Sequence, residues 1–312
     1  TNKIFFSKFT KLTDVQEQTI PIILNKKNAL IISPTASGKT EAVIVPICER
    51  MVAEGNGKFN SKKLLLIYII PTKALVNDIY KRLEYKLSRL NITSASKTGD
   101  RDNFKINQPQ NVLFTTPEAV DSLLSRHPES FKEIKFVVMD ELHFLDNNFR
   151  GDQLRILLQR ISKKVSKPNE LNYYAMSATI KEPNEMAERY FKNYEIIISK
   201  GSRKIKFSTI DAGASFKKLE MIKNIFKDKK INRAIFFCNS RKKTISITKQ
   251  LKEIFRTDDR IFEHHASISG KERARVEKEM ARTDNMRSFC VATASLEIGI
   301  DIGNIQAVVL ID

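Results

Sequence analysis

The sequence lacks the features that define several protein classes. Its longest apolar run, residues 64–70, is far shorter than the ~20 residues that a membrane-spanning helix needs. No secretory signal is recognisable at its start, and no segment is of low complexity. Cys48, Cys238 and Cys290 show no CxxC spacing, which argues against a zinc site and a disulfide framework. We therefore expect no membrane partner, no zinc, and a reducing cytoplasmic or nucleoid-associated location.

Positive charge is in clear excess. The 312 residues carry 54 Lys+Arg against 36 Asp+Glu, which gives a formal net charge of +18. Such an excess favours polyanions such as nucleic acid, because each neutralised phosphate releases condensed counterions. The alternative is a basic solvated surface with no polyanionic partner. The length and the 41% hydrophobic share are sufficient for about two domains with buried cores.

Short apolar runs alternate with longer amphipathic stretches along the whole chain. Runs that are apolar on both faces are typical of strands in covered parallel sheets, so the pattern predicts an α/β fold. A polar, basic stretch at 199–204 is predicted to link a first lobe (1–200) to a second lobe (201–312). We predict strands at 29–32, 64–70, 112–115, 136–139, 173–176, 195–198, 207–211, 233–237, 260–263, 289–292 and 307–311. We predict helices at 40–53, 73–90, 152–164, 182–191, 216–227, 241–255 and 269–281.

The strongest local signal is SPTASGKT at 33–40, which lies between a predicted strand and a predicted helix. In that context, successive backbone N–H groups and the helix N-terminus form an anion-binding cavity. Gly38 allows the backbone to approach phosphates, Lys39 supplies a cation, and Thr40 offers a hydroxyl to Mg²⁺. Ser33 replaces the first glycine of the general pattern, so a chance GKT in a surface turn is the alternative.

A second strand tip supplies the acids that a phosphate loop requires. The predicted strand 136–139 is followed directly by Asp140 and Glu141. Asp140 is predicted to hold Mg²⁺, mostly through water, and Glu141 to orient and deprotonate the attacking water. An acidic turn after a strand is the alternative for these two residues alone. Their order after the phosphate loop favours an ATP-hydrolysing site.

Further motifs in the same order resemble those of superfamily 2 helicases of the DExH type. These motifs are TDVQ at 13–16, SPTASGKT at 33–40, PTKAL at 71–75, TGD at 98–100, TPE at 116–118, DELH at 140–143, SAT at 177–179, FFCNSR at 236–241, HHASIS at 264–269 and ATASLEIGID at 292–301. The segment FRG at 149–151, HHASIS and SLEIGIDIG at 295–303 are most similar to the Lhr-like branch. The related Ski-like RNA helicases remain the alternative placement.

The resemblance implies two RecA-like lobes, each a parallel sheet with helices on both faces, and ATP with Mg²⁺ as cofactors. It implies ATP contacts from Gln16 (to adenine), Thr35, Ser37, Gly38, Lys39, Thr40, Gly299 and Asp301. His143, Ser177 and Thr179 would couple the ATP site to the nucleic acid. Contacts to a single strand would come from Pro71, Thr72, Lys73, Gly99, Thr116, Arg150, Ser240, Arg241 and Thr293. For the threonines and Arg150, the alternatives are helix caps and an ion pair within the lobe.

The implied function is an ATP-driven motor that moves 3′ to 5′ along single-stranded or tailed nucleic acid, with DNA used readily. ATP would draw the two lobes together, and hydrolysis would release them. The family's next motif, QxxGRxGR, is absent before Asp312, so we expect a truncated second lobe. A fragment of a longer protein and impaired hydrolysis are the two explanations. An RNA helicase and a clamp that binds ATP without moving are the alternatives in function.

Overall fold

Buried apolar strands alternate with amphipathic helices in a computed structural model of the chain, in two compact units, Thr1–Arg203 and Lys204–Asp312. The parts of the chain that the structure describes are residues 1–6, 11–35, 37–54, 62–178, 180–199, 206–209, 215–255, 259–265, 267–282, 284, 286–293 and 305–311. None of the helices within these ranges is both long enough and apolar enough to span a membrane. Cys48, Cys238 and Cys290 are buried free thiols.

The first unit is built on a seven-stranded parallel sheet in the order β3-β4-β2-β5-β6-β1-β7. Its strands are β1 (Ala29–Ile32), β2 (Leu66–Ile69), β3 (Ser94–Lys97), β4 (Val112–Thr115), β5 (Phe136–Met139), β6 (Asn172–Ser177) and β7 (Glu195–Ile198). Its helices are α1 (Asn2–Phe5), α2 (Asp14–Leu24), α3 (Lys39–Glu54), α4 (Lys73–Ser88), α5 (Pro117–Arg126), α6 (Phe149–Ser162) and α7 (Pro183–Tyr190). Every residue of β1, β2, β4 and β5 is buried, as strands covered on both faces require.

Because the paired strands are parallel, their carboxyl ends meet at one edge of the sheet. The segments that follow β1, β2, β4, β5 and β6 therefore share this edge. These segments carry SPTASGKT, PTKAL, TPE, DELH and the start of SAT. The topology thus brings together motifs that are spread over more than half of the first unit.

The second unit is a four-stranded parallel sheet in the order β11-β8-β10-β9. Its core contains Phe226, Phe236, Phe255 and Phe289, with the closest ring centroids 4.7 Å apart. Its elements are α8 (Ser215–Asp228), β8 (Arg233–Cys238), α9 (Arg241–Ile254), β9 (Arg260–His264), α10 (Gly270–Met280), β10 (Ser288–Ala292) and β11 (Ala307–Ile311). Two parallel sheets with helices confirm the predicted α/β class.

The structure differs from the local predictions at four elements. Residues 207–209 of the predicted strand 207–211 form no strand, which contradicts that part of the prediction, and residues 210–211 lie outside the described residues. Strand β3, with the sequence SASK, was not predicted because it has no apolar run. Helices α2 and α5 were not predicted either; Pro21 lies inside α2, and α5 begins at a proline. Proline is unfavourable in a helix interior but fits its first turn.

Candidate active site

The loop between β1 and α3 holds the predicted phosphate-binding residues in a constrained conformation. Gly38 has φ +92°, where a side chain is strained, and an added Cβ would lie 2.5 Å from Gln16 Nε2. Ser33 Oγ donates to Ser37 Oγ at 2.6 Å, and Ser33 N donates to Ser177 O at 3.2 Å. The loop is thereby fixed to the end of β6 and requires glycine at position 38.

Gln16, the predicted adenine-binding residue, lies against this loop. Its Oε1 accepts from Thr13 N at 3.0 Å, and its Nε2 donates to Gly38 O at 3.3 Å. A glutamine amide has two donor hydrogens and an acceptor oxygen with two lone pairs, so one donor and one lone pair are left for a base edge. Thr35 lies exposed in the loop, and its contact with the nucleotide stays a prediction.

Lys39, the first residue of α3, turns its ammonium back over the loop. Its Nζ donates to Ser33 O at 2.5 Å and to Pro34 O at 3.0 Å. Burial lowers the pKa of Lys39, and the carboxylates of Glu141 and Asp140 act in the opposite direction. A phosphate oxygen can replace either carbonyl as acceptor, so this ammonium is placed to bind phosphate at the carboxyl edge of the sheet.

Asp140 ends β5 and is almost completely buried, with 4% of its surface exposed. Its Oδ2 accepts from Tyr68 Oη at 2.9 Å, and its Oδ1 accepts from Glu141 N at 2.9 Å. Burial raises the pKa of Asp140 to about 6, and the charge of Glu141 adds to this effect. The buried negative charge is therefore under-compensated by the protein, and a divalent cation would supply the missing charge.

Glu141 has an unusual backbone and an unsatisfied side chain. Its φ of 47° and ψ of 45° lie in the left-handed region, which costs a residue with a Cβ about 1–2 kcal/mol. Its Oε2 is buried and makes no hydrogen bond to the described residues. Burial raises the pKa of Glu141, and Lys39 opposes the shift. Strain and an unused acceptor at one residue are typical of a catalytic carboxylate.

The donor set fits Mg²⁺, which accepts one or two protein oxygens and completes its shell with phosphate oxygens and water. The hydroxyl of Thr40 lies at the start of α3, and the carboxylate of Asp140 lies nearby at the end of β5. Both groups interact with the hydroxyl of Tyr68, so they belong to one cluster. Thr40 and Asp140 are the residues that would hold the ion.

His143 joins the segment after β5 to the segment after β6. Its Nδ1 accepts from Ala178 N at 3.3 Å and lies 3.4 Å from Ser177 Oγ and 3.4 Å from Glu141 Oε2. Burial lowers the pKa of His143, and the charge of Lys39 adds to the shift. A neutral ring with Nδ1 as acceptor satisfies the contacts to Ala178 N and Ser177 Oγ, and it makes no hydrogen bond to the Glu141 carboxylate. His143 is thus adjacent both to the predicted base and to Ser177, the second predicted coupling residue, and Thr179 lies outside the described residues.

The segments after β2 and β3 lie beside each other on the same edge of the sheet. Thr72 caps α4, although its hydroxyl accepts from Leu75 N only at 3.4 Å. Lys73 Nζ donates to Asp100 Oδ1 at 2.7 Å, and a Cβ on Gly99 would lie 3.0 Å from the same Nζ. The predicted strand-binding residues Pro71, Thr72, Lys73 and Gly99 are therefore brought together, with the cation of Lys73 half exposed.

Arg150, predicted to contact a strand, is engaged within the unit. Its Nε donates to Glu118 Oε1 at 2.8 Å, and its guanidinium also donates to Pro71 O at 2.7 Å. This side chain, which belongs to α6, therefore braces the segment after β2 against the start of α5. Thr116 precedes α5 as its N-cap residue and interacts with Glu118. The ion pair and the helix caps correspond to the alternatives considered for these residues.

In the second unit, the two predicted residues at the end of β8 begin a helix. Ser240 caps α9 by accepting from Lys243 N at 3.2 Å, and Arg241 is exposed as the first residue of that helix. Thr293 follows β10, and its backbone N donates to His264 O at 3.1 Å. Gly299 and Asp301 lie outside the described residues.

Comparison with known proteins shows which family the chain belongs to. Residues 13–187 match the family model described as DEAD/DEAH box helicase, and residues 217–312 match the helicase conserved C-terminal domain. The chain belongs to the DEAD/DEAH box helicases. The first of these matches spans the phosphate loop, Asp140, Glu141 and His143, and the second spans Ser240, Arg241 and Thr293.

Among these helicases, the similarity is to the Lhr-like branch, which confirms the predicted placement. The ATP-dependent helicase Lhr-Core of Sulfolobus acidocaldarius is 31% identical over 98% of this chain, and the chain spans 38% of that relative. The solved structure of helicase Lhr from Mycobacterium smegmatis, bound to ssDNA and AMP-PNP, is 26% identical. Its TM-score is 0.80 over 99% of this chain and 43% of its own. Mss116p, bound to ssRNA and AMP-PNP, shares the fold with a TM-score of 0.78 at 23% identity, over 100% of this chain and 66% of its own.

Sequence reasoning missed three side chains around the helicase site. Tyr68 and Arg82 contact the predicted metal-binding residues. Asp146, whose side chain is buried, accepts from Arg189 Nε and Tyr190 Oη at 3.1 Å each and anchors the segment after Glu141 to α7. Of these three residues, only Tyr68 could have been found from the sequence. Its hydroxyl is the one polar side-chain group in the apolar run 64–70, and a buried tyrosine hydroxyl needs a hydrogen-bond partner.

Proposed function

We propose that this chain is the ATP-driven motor of a nucleic-acid helicase. It hydrolyses ATP with Mg²⁺ and uses the energy to move along single-stranded nucleic acid, in the 3′ to 5′ direction and on DNA. The observation that carries the proposal is the buried Oε2 of Glu141, which accepts no hydrogen bond from the described residues and lies beside Asp140 and Lys39. An RNA helicase of the Ski-like group and an ATP-binding clamp are the alternatives.

Each ATP-site residue has a chemical role that its surroundings support. Lys39 binds the β- and γ-phosphates, because its ammonium needs only to exchange carbonyl partners for phosphate oxygens. Thr40 and Asp140 hold Mg²⁺, which neutralises charge on the phosphates when bound. Glu141 accepts a proton from the attacking water through Oε2, the carboxylate oxygen that has no hydrogen-bond donor among the described residues.

A second set of features on the same sheet edge supports binding of a strand. The N-termini of α4 and α5 lie beside Thr72 and Thr116 and present backbone N–H groups, which favour phosphate. Contacts of this kind carry no sequence information and suit a protein that moves along any strand. The choice of DNA rests on the Lhr relative bound to ssDNA. The direction rests on the resemblance alone.

Coupling between the two sites is proposed to run through His143 and Arg150. His143 lies within 3.4 Å of Glu141 and Ser177, so a shift of the segment after β6 changes the surroundings of the base. Arg150 joins Pro71 to α5, so the two predicted strand-binding loops move together. Contacts at both sites that change together allow phosphate and strand to favour one arrangement jointly.

ATP turnover is expected to rise when single-stranded nucleic acid is added. The test measures phosphate release with no polymer, with ssDNA and with ssRNA, for this chain and for a form that continues past Asp312. Greater stimulation by ssDNA than by ssRNA supports the proposal, and greater stimulation by ssRNA favours the Ski-like alternative. If both forms bind ATP and a strand but hydrolyse no ATP under any condition, the motor is excluded and the clamp is favoured.

Replacing Arg150 with methionine is expected to weaken binding of ssDNA about tenfold, since a contact to a charged group contributes about 1.5–3 kcal/mol. The substitution removes the donors to Glu118 and Pro71, so the strand-binding loops lose their brace whether or not Arg150 also touches phosphate. Fluorescence anisotropy with a labelled oligonucleotide measures the affinity. Arg155→Met, on the same helix, is the control because Arg155 pairs locally with Asp152. Equal affinities of the two variants would contradict the prediction.

A further inference from the structure

Tyr68 is a fully buried tyrosine at the centre of the first unit's sheet. It lies on β2 beside Val138 of β5, two positions before Asp140. Its hydroxyl donates to Asp140 Oδ2 at 2.9 Å, and it also interacts with the side chain of Thr40. The Tyr68 hydroxyl therefore connects Thr40 and Asp140, the two residues that would hold the metal ion, although these residues belong to two different motifs.

Arg82 approaches the same cluster from α4. Its guanidinium donates to Thr40 Oγ1 at 3.1 Å. One turn further along the helix, Lys86 Nζ lies 3.5 Å from Glu41 Oε1. The face of α4 that carries Arg82 and Lys86 thus packs against the first turn of α3, directly after Lys39.

The hydrogen-bonding capacity of Thr40 shows what these contacts achieve. A hydroxyl has one hydrogen and two acceptor lone pairs. When the hydrogen faces Tyr68 and one lone pair accepts from Arg82, a single lone pair is left. The Thr40 oxygen is then held in one rotational state, with its remaining lone pair available to a metal ion.

We propose that Tyr68 and Arg82 are positioning residues of the magnesium site: they orient the Thr40 hydroxyl, and Tyr68 also holds the Asp140 carboxylate in register with it. The inference rests on the proposed function, because it assigns a role to residues around the proposed ATP site. Groups that orient metal ligands typically contribute about 10–100-fold to metal affinity or activity. When the Thr40 and Asp140 side chains already have fixed rotamers, the ion does not have to order them on binding.

The direct test is Tyr68→Phe, which removes only the hydroxyl. The affinity for a fluorescent ATP analogue is measured in EDTA and across a Mg²⁺ titration. We expect the Mg²⁺ concentration that gives half of the affinity gain to rise about tenfold, while the affinity in EDTA stays unchanged. An unchanged Mg²⁺ requirement in a folded Tyr68→Phe protein overturns the proposal.

Tyr174→Phe is the matched control. Tyr174 is also fully buried in a central strand, and its hydroxyl accepts from Arg50 at 2.8 Å, away from Thr40 and Asp140. We expect this variant to lower the melting temperature without moving the Mg²⁺ requirement. If both tyrosine variants shift that requirement equally, the effect is a general loss of packing and the proposal fails.

Arg82→Met provides a second line of evidence if Tyr68→Phe does not fold, because Arg82 is an exposed helical residue. We expect a severalfold rise in the Mg²⁺ requirement, partly restored in Arg82→Lys, with Arg89→Met, at the C-cap of the same helix, as the control. No shift in Arg82→Met excludes Arg82 from the role. A wild-type chain that binds no ATP analogue at any Mg²⁺ concentration contradicts the proposed function itself, which separates that failure from failure of this inference.

Discussion

Replacing Glu141 with glutamine is expected to reduce ATP turnover by about 10²–10⁴-fold and to leave ATP binding intact. A general base contributes an effect of this size, because the glutamine amide cannot accept the proton of the attacking water. Lys39 and Thr40, which we propose to bind the phosphates and the metal, are untouched by the change. The measurement is steady-state phosphate release, combined with equilibrium binding of a fluorescent ATP analogue.

The fold is expected to tolerate this substitution. Glutamine matches the shape of glutamate and meets the same left-handed backbone, with φ of 47°, at the same cost. Oε2 of Glu141 has no hydrogen-bond partner among the described residues that an amide would lose. The loss of turnover can therefore be assigned to chemistry, provided that the melting temperature stays close to that of the wild type.

The matched control is Glu185→Gln, which changes an exposed carboxylate on α7 that lies 3.8 Å from Arg189. It is expected to keep wild-type turnover. Lys39→Ala, by contrast, should lose ATP binding along with turnover. A Glu141→Gln protein that retains more than about a third of wild-type turnover would show that another group accepts the proton, and the base would have to be sought elsewhere.

The predictable part of the fold is the part whose sequence encodes burial on both faces. Strands β1, β4 and β5 were predicted with their observed bounds, because a short apolar run of three or four residues between polar segments is typical of a buried strand. Strand β3 has no such signature. It is held at the sheet edge by side chains from outside it, since Asn103 Oδ1 accepts from Ser96 N at 2.6 Å.

The candidate site divides in the same way. Gly38, Lys39, Asp140 and Glu141 were predictable because their chemistry is encoded in short, contiguous segments. Tyr68 and Arg82 were not, because their roles arise only when β2 lies beside β5 and α4 lies beside α3. Neither sheet order nor helix packing can be derived from local pattern, and the motif-based prediction therefore stopped at residues within motifs.

A second large effect is expected far from the chemistry, at Arg50 on α3. The residue is 9% exposed, and no carboxylate of the described residues pairs with its guanidinium. One nitrogen donates to Ile23 O at 3.2 Å and to Tyr174 Oη at 2.8 Å, and the other donates to Asn172 Oδ1 at 2.8 Å. The charge lies 4.6 Å from the ring centroid of Phe136. This one side chain ties α3 to the end of α2 and to β5 and β6.

Two opposing contributions decide whether replacing Arg50 raises or lowers the stability of the first unit. Removing the cation relieves the cost of burying a charge without a carboxylate partner, which is several kcal/mol in a dry interior. Hydrogen bonds to a charged group contribute about 1.5–3 kcal/mol each, and the cation–π contact contributes up to about 2 kcal/mol when desolvated. Ile23 lies at the C-terminal end of α2, where the helix dipole also favours a cation. Three hydrogen bonds and the ring contact together exceed the relief.

Arg50→Met is therefore expected to destabilise the first unit by about 3 kcal/mol, because buried acceptors on Asn172 and Tyr174 lose their donor. For a unit of this size, the shift in melting temperature is about 6–12 °C. Circular dichroism measures it during thermal and urea unfolding, and the transition that loses ATP binding reports the first unit. Arg89→Met removes a guanidinium that donates to the exposed Tyr85 hydroxyl at 3.3 Å, and it is expected to shift stability by less than about 0.5 kcal/mol. If the Arg50→Met protein has the same melting temperature as the Arg89→Met protein, or is more stable than the wild type, the prediction is wrong. The cost of burying the Arg50 charge then equals or exceeds the stabilisation that its hydrogen bonds and ring contact provide.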